Sequence, residues 1–155
     1  MLFIVFKAGN ASYALEARQV IEVVPLVSLR ACPGVPVYMT GLANYHGTGV
    51  PIVDLGHLVG GVPCAVYLST RIILTSYAGK DGQQRVIGLL AETVIETVER
   101  EEADFSQSGV DASGISCLGK LAVSGTGFIQ RVVVEKLVPK ELEQILFAEP
   151  DKAIS

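Results

Sequence analysis

The sequence predicts an all-β fold made of two similar small units, and three observations lead to this prediction. Short runs rich in β-branched residues recur along the chain and are separated by Gly and Pro at intervals of about ten residues. A segment of the first half recurs in the second half. The chain has 155 residues, enough for one compact unit or two closely packed small ones. Short strands of this kind favour barrels, because closure leaves no unpaired edges.

The internal duplication is the strongest of these signals. Residues 14–24 (ALEARQVIEVV) align without gaps with residues 88–98 (GLLAETVIETV), and both contain a V-I-E-x-V strand. Further on, a glycine followed by a G-T-G run occurs at residues 41–49 and again at residues 119–127. Two matched blocks in the same order indicate a pseudo-twofold relation between the halves.

Each half begins with a predicted β-hairpin. The first, starting at Phe3–Phe6, turns at Gly9-Asn10, and the second, starting at Arg71–Tyr77, turns at Asp81-Gly82. Glycine is expected at such turns because a tight hairpin needs positive φ angles. The V-I-E-x-V strand follows each hairpin, and the G-T-G turn then leads into an apolar strand that ends in Leu-Val, at residues 58–59 and 137–138.

The last third of the chain predicts a loop and a helix. Residues 99–116 are acidic and then rich in Ser and Gly, which predicts an exposed loop. Pro139 at a first helical position, with Leu142, Ile145 and Leu146 on one face, predicts a helix over 139–148. The predicted organisation is one domain over 1–148, followed by a frayed tail at 149–155. Its sub-barrels cover about 1–62 and about 63–138, and elements are allowed to exchange between them.

Composition excludes several classes of partner. The net charge is −4 and there is no basic cluster, so no nucleic-acid partner is expected. Residues 31–53 carry no Asp, Glu, Lys or Arg, but their Pro and Gly residues argue against a membrane-spanning helix. The run at residues 2–6 lacks the features of a signal peptide. We therefore expect a cytoplasmic protein without direct membrane insertion, whose three widely spaced cysteines are reduced.

The sequence contains no convincing catalytic motif. Neither G-T-G run continues into a dinucleotide fingerprint or a phosphate loop, and no metal or cofactor site is expected. Asp54 lies among apolar residues and is expected to accept backbone N–H groups at a strand end. One alternative is a small β-barrel hydrolase or isomerase that uses Asp54 with His46 or His57 in one concave pocket. Another is a sensor that binds a small metabolite between the barrels.

The order and spacing of several motifs resemble the CheW family over nearly the whole chain. These motifs are Tyr13-Ala-Leu15, Val20-Ile-Glu-Val23, Pro33-Gly-Val-Pro36, Gly41-Leu-Ala-Asn44 with Gly47, Val50-Pro-Ile-Val-Asp-Leu55 and Ile87-Gly-Leu-Leu90. The resemblance implies two five-stranded Src-homology-3-like barrels about a pseudo-twofold, with a short C-terminal helix. It also implies a non-enzymatic adaptor in bacterial chemosensory signalling.

The resemblance implies two protein partners. One is the regulatory domain of a CheA-type histidine kinase, which packs barrel to barrel. The other is the cytoplasmic tip of a chemoreceptor, received in an apolar groove between the barrels, which would recruit the protein to membrane receptor clusters. The residues that match the family's partner-binding segments are Val20, Glu22 and Val23, and, in the glycine-rich turn, Gly41, Asn44, His46 and Gly47.

His46 is a departure from the family pattern. The family usually has Arg at this position, and a mostly neutral imidazole does not reproduce a charged, planar guanidinium. Together with the short lead before the first strand, this departure favours an alternative chemosensory cluster, such as one for surface sensing or twitching, over the main flagellar array.

Overall fold

The structure is a computed structural model that describes residues 1–79, 81–106 and 117–138. Its strands are β1 Leu2–Ala8, β2 Ala11–Glu16, β3 Val20–Pro25, β4 Met39–Tyr45, β5 Thr48–Val53, β6 Arg71–Ala78, β7 Gln84–Ala91, β8 Thr93–Glu99, β9 Phe105–Ser106, β10 Leu118–Ser124 and β11 Gly127–Val132. A helix, α1, covers Leu55–Gly60, and short 3-10 turns cover Ala17–Gln19, Glu102–Asp104 and Val134–Lys136.

The strands form two mixed sheets. The six-stranded sheet has the order β8-β1-β2-β11-β10-β9, and the five-stranded sheet has the order β3-β6-β7-β5-β4. The mostly β fold was predicted and is confirmed. The prediction of two closed five-stranded barrels is wrong, because the edges β8 and β9, and the edges β3 and β4, do not pair in the described part of the chain. Strand β9 is the additional sixth strand, and its pairing with β10 had no sequence signal.

Each sheet takes strands from both sides of residue 62. The β1–β2 hairpin lies in the six-stranded sheet with β8 to β11, whereas the β6–β7 hairpin lies in the five-stranded sheet with β3 to β5. The hairpin of one half is thus completed by the later strands of the other half. The division of the chain into sub-barrels near residue 62 stays a prediction.

The two sheets repeat one pairing scheme. Ala14 pairs in parallel with Arg131, and Gly88, which the repeat aligns with Ala14, pairs in parallel with Ile52. Both V-I-E-x-V strands also carry a register shift at their isoleucine, at Ile21 in β3 and at Ile95 in β8. A β-bulge of this kind twists an edge strand and leaves one residue unpaired. Both isoleucines are accordingly exposed.

The hairpin turns lie where the sequence predicts them, with one difference in register. Gly9 and Gly82 have φ values of 63° and 79°, which confirms the two expected turns. In the glycine-rich blocks, β4 and β10 end at Tyr45 and Ser124, and the next strands begin at Thr48 and Gly127. The sequence alignment of the two G-T-G runs is therefore shifted by one residue from the alignment of the strands. The sequence alignment matched the glycines, which occupy different positions in the two hairpins.

The apolar side chains form two cores. The main core contains residues of both sheets, such as Phe6 and Tyr13 from the first and Ile52, Ile73 and Leu89 from the second. The smaller core belongs to the six-stranded sheet and contains Phe3, Val5, Ala14, Phe105, Ala122 and Ile129. The shared main core holds the two sheets together.

Helix α1 was not predicted. The expected strand through Leu58-Val59 ends at Val53, and these two residues lie on α1. Asp54 is the N-cap, and its carboxylate accepts the N–H of His57 at 3.2 Å and that of Cys64 at 3.0 Å. The expected acceptor role of Asp54 is confirmed, although at a helix start. Gly61 ends the helix in the left-handed conformation with φ 68°.

The predicted loop and C-terminal helix are only partly covered by the described residues. Residues 99–106 include the 3-10 turn Glu102–Asp104 and strand β9, whose Phe105 is buried, so this part is not a plain exposed loop. Residues 107–116, the predicted helix at 139–148 and the tail at 149–155 lie outside the described residues. Among the residues that are described, no helix is long and apolar enough to cross a membrane.

Candidate functional site

A groove of about 320 Å³ opens between β3 and β4, the two edges of the five-stranded sheet. Ile72 and Leu74 of β6 and Ala43 of β4 contribute to it and are almost fully buried. The other lining residues are Glu22, Val24, Pro25, Val27, Asn44, Tyr45 and His46. The groove therefore combines an apolar floor with a polar side.

A side-chain hydrogen bond joins the two unpaired edges. The hydroxyl of Tyr45 on β4 donates to Oε2 of Glu22 on β3 at 2.7 Å. The bond to Glu22, helped by desolvation and by the negative charge of that carboxylate, raises the pKa of Tyr45 above the ordinary tyrosine value. We call this contact the Tyr45–Glu22 clasp. It connects edges that the backbone leaves apart.

The β4–β5 hairpin places the polar residues of the groove. His46 and Gly47 form its two-residue turn with φ values of 52° and 85°, both positive, as a type I′ turn requires. The Asn44 Oδ1 accepts the N–H of Gly47 at 2.8 Å, which fastens the turn. The His46 ring lies 4.3 Å from the Tyr45 ring, centroid to centroid. The imidazole is thus held beside the clasp.

The structure brings together three of the seven predicted partner-binding residues. Glu22, Asn44 and His46 line the groove. Gly47 lies in the adjoining turn, and Val23 is 38% exposed but does not line the groove. Because successive side chains alternate between the two faces of a strand, Val23 lies on the opposite face of β3 from Glu22.

The other two predicted residues shape the fold. Val20 is half-buried and packs against the main core. Gly41 is buried in β4, where an added Cβ would lie 2.7 Å from the carbonyl oxygen of Arg30. That close approach allows the isolated bridge between Arg30 and Leu42. Neither position presents a side chain to the groove.

Sequence reasoning missed most of the groove. Val24 could have been found, because it alternates with Glu22 on the same face of a strand. Ile72 and Leu74 could not, since they come from the other half of the sequence and reach the groove only through the β3–β6 pairing. Tyr45 was adjacent to two named residues, but its partner Glu22 is remote in sequence.

The residues of the enzyme alternative do not meet in the groove. His46 lines it, whereas Asp54 and His57 do not. The carboxylate of Asp54 is occupied by backbone N–H groups at the start of α1. Burial raises the pKa of the Cys64 thiol to about 12 and that of Cys117 to about 11, so both stay protonated near neutrality. No cluster of three metal-ligating side chains occurs in the described ranges.

Comparison with known proteins decides the family. A family model described as a CheW-like domain matches residues 2–147. This chain belongs to the CheW-like family. The resemblance predicted from the motifs is therefore confirmed.

Sequence relatives agree with this assignment. The chemotaxis protein CheW of Bacillus subtilis strain 168 is 26% identical over 150 residues, which cover 97% of this chain and 93% of that protein. The probable chemotaxis protein CheW of Rhizobium etli is 29% identical over 91 residues, which cover 59% of this chain and 56% of that protein. The second match thus spans only about half the length of the relative.

A solved structure supports the same fold. The crystal structure of the scaffolding protein TtCheW from Thermoanaerobacter tengcongensis matches with a TM-score of 0.76 and 23% sequence identity, covering 86% of this chain and 84% of that one. Proteins of the CheW family are chemotaxis scaffolds and not enzymes, and this chain belongs to that family.

Proposed function

We propose that this protein is an adaptor that couples the cytoplasmic tip of a chemoreceptor to the regulatory domain of a CheA-type histidine kinase. The observation that carries the proposal is the match of a CheW-like domain to residues 2–147. The groove supports it, because an apolar floor with a polar side is the surface that a protein partner recognises. The protein would act in the cytoplasm, at membrane receptor clusters.

We assign partner contact to the exposed members of the predicted set, Glu22, Val23, Asn44, His46 and Gly47. Glu22, Asn44 and His46 line the groove, Gly47 lies in the adjoining β4–β5 turn, and Val23 lies on the opposite face of β3. Val20 and Gly41 support this surface from behind, through core packing and through the bridge between Arg30 and Leu42. Substitutions at these two positions would act on the fold before they act on binding.

The experiment that tests the adaptor role is direct binding to two baits. The purified protein is titrated against the regulatory domain of a CheA-type kinase from the same organism and, separately, against a fragment that contains the receptor tip, by isothermal calorimetry. Saturable binding to both baits is expected. Binding to neither would overturn the proposal.

A charge on the proposed surface refines the test. Val23→Asp should weaken binding of at least one bait about tenfold or more, because an unpaired carboxylate would be desolvated in an apolar contact. Val37→Asp is the matched control, since Val37 is 70% exposed and does not line the groove. Equal losses from both variants would remove Val23 from the proposed surface.

We further propose that the protein serves an alternative chemosensory cluster, such as one for surface sensing or twitching. His46 supports this, since the imidazole cannot supply the bidentate guanidinium contact typical of the family position. The test is complementation of a strain that lacks its own coupling protein. Little restoration of swimming chemotaxis is expected, and restoration equal to that by the native adaptor would refute this assignment.

A further inference from the structure

Residues of one sheet can be matched to residues of the other, because the two sheets repeat the same strand pairings. Val98 and Val24 both end a V-I-E-x-V repeat, and they pair with Phe3 and Ile72, respectively. Phe3 in the six-stranded sheet therefore takes the place of Ile72 in the five-stranded sheet. By the same pairings, Val5 corresponds to Leu74. Ala122 corresponds to Ala43, since each lies at the same distance from the end of its hairpin strand.

These corresponding residues have different surroundings. In the six-stranded sheet, Phe3, Val5 and Ala122 belong to the smaller core, and Val98 packs against it. Their counterparts in the five-stranded sheet are Ile72, Leu74, Ala43 and Val24, and all four line the groove. The groove is thus the counterpart of a site that is filled in the other sheet.

The ring of Phe105 fills that other site. Phe105 is 4% exposed, its ring centroid lies 5.1 Å from that of Phe3, and its backbone pairs with Ala122 of β10. In the sequence, Phe105 lies in the connection between β8 and β10. In the five-stranded sheet the counterpart of Phe105 is Leu29, because Arg30 bridges Leu42 as Ser106 pairs with Leu121. Leu29 and Tyr38, the aromatic residue of the connection between β3 and β4, pack against the main core and do not line the groove. Val27 of the same connection lines the groove and is 48% exposed.

We propose that the groove receives one aromatic side chain from a protein partner, held against Ile72 and Leu74 as Phe105 is held against Phe3 and Val5. The volume of about 320 Å³ is ample for a ring, because an apolar cavity of roughly 150 Å³ already binds benzene. The floor side chains Ile72, Leu74 and Ala43 are apolar, so burial against them favours an apolar ring over a charged side chain. This inference deepens the proposed function by naming the chemistry that the groove recognises.

The first test uses a defined probe in place of the partner. N-acetyl-phenylalanine amide and N-acetyl-leucine amide are titrated into the full chain, and the methyl signals of Ala43, Val24 and Leu74 are followed by NMR. Saturable shifts are expected with the aromatic probe, with a dissociation constant about threefold or more below that of the leucine probe. Equal affinities, or no shifts at these methyl groups, would overturn the proposal.

The second test fills the groove from within. Val27→Phe should place a ring in the groove and weaken probe binding about tenfold or more. Val37→Phe is the matched control, because it adds the same ring at an exposed position outside the groove and should leave probe binding unchanged. Unchanged binding in Val27→Phe would show that the probe lies elsewhere, and the proposal would fall.

The same variants separate this inference from the adaptor proposal. If the wild-type protein binds kinase domain or receptor tip and Val27→Phe loses neither, the aromatic site is refuted while the adaptor role stands. If the wild-type protein binds neither bait but Val27→Phe still blocks the aromatic probe, the aromatic site stands while the adaptor role fails. If the variant blocks the probe and weakens one bait, both stand.

Discussion

The six-stranded and five-stranded sheets share a pairing scheme but treat its open side differently. In the first, Phe105 closes the site with a buried ring. In the second, the Tyr45–Glu22 clasp joins the edges and a groove remains beneath. The difference teaches that two copies of one unit can share most of their strand pairing and still differ in closure, because the ring of Phe105 comes with the added strand β9, which the five-stranded sheet lacks.

A second contrast lies at the parallel strand pair of each sheet. Arg131 takes the place that Ile52 has in the other sheet, since they pair with Ala14 and Gly88. Its guanidinium lies 5.3 Å from the Phe3 ring centroid and 5.7 Å from that of Phe105, and it donates to Glu102 at 2.8 and 2.9 Å. It also pairs with Glu16. The closed site is therefore covered by a cation and its carboxylates.

The ends of the two hairpins give a third contrast. Asp54 and Val133 have nearly equal backbone angles, with φ −99° and −97° and ψ 101° and 102°. Asp54 caps the six-residue helix α1, whereas Val133 makes no side-chain cap and starts only the 3-10 turn Val134–Lys136. The same backbone thus continues as a helix where a carboxylate accepts one of its first N–H groups, that of His57.

Removing the ring that closes the six-stranded sheet should have the largest effect. Phe105→Ala should lower the free energy of unfolding by about 3 to 5 kcal/mol, because it leaves a cavity beside Phe3. Urea denaturation measures this change. The control is Phe128→Ala, since Phe128 is 63% exposed and should cost much less. Similar losses in both variants would contradict the assignment of Phe105 as the closing residue.

Breaking the cap that distinguishes the two hairpin ends should come next. Asp54→Ala removes the acceptor of the His57 and Cys64 N–H groups, the second of them buried, and should cost about 2 to 4 kcal/mol. Val133→Ala, at the corresponding position, should cost less because no cap is lost. Thermal and urea unfolding measure the loss of stability in each variant. A loss in Asp54→Ala no larger than that in Val133→Ala would show that the cap is unimportant.

The charged cover of the closed site predicts a pH dependence. Burial acts to raise the pKa of Glu16, but hydrogen bonds and charge from Arg18 and Arg131 outweigh it and lower that pKa. The resulting stability is present above the pKa of the unfolded glutamate and is lost as pH falls through the lowered folded value.

Glu16→Gln should therefore cost about 1 to 2 kcal/mol near pH 7. The difference from wild type should shrink as the solution is acidified toward and below the folded pKa. Urea unfolding at a series of pH values measures it. Arg131 also pairs with Glu102, so Glu102→Gln is a useful second variant, expected to have a smaller effect because that carboxylate is 62% exposed. A difference independent of pH would contradict the ionic explanation.

The clasp of the open sheet should contribute least to stability. Tyr45→Phe removes an exposed hydrogen bond and should leave the free energy of unfolding almost unchanged. Its effect should instead appear as faster amide hydrogen exchange in β3 and β4. In wild type, NMR titration should give Tyr45 a pKa above the ordinary tyrosine value, and Glu22→Gln should bring it back down. An unchanged titration would exclude the clasp in solution.

The sequence by itself determined the local and repeated features. The turns at Gly9 and Gly82 followed from glycine's tolerance of positive φ, and the acceptor role of Asp54 followed from its polar side chain in an apolar run. The duplication was visible because V-I-E-x-V recurs, and the order and spacing of the motifs predicted the family. Three residues of the groove, Glu22, Asn44 and His46, were named from those motifs.

Only the tertiary structure decided which strands meet and what they enclose. The pairing of β3 with β6 brings Ile72 and Leu74 from the second half under residues of the first, and no local pattern encodes that contact. The one-residue shift of the G-T-G runs depends on the register of each hairpin, and the two-residue strand β9 depends on its pairing with β10. Local preferences follow from each residue's own backbone and side chain. The closure of the sheets, the groove and the core depend instead on long-range packing. This packing selects one set of strand pairings from several that fit the sequence pattern equally well.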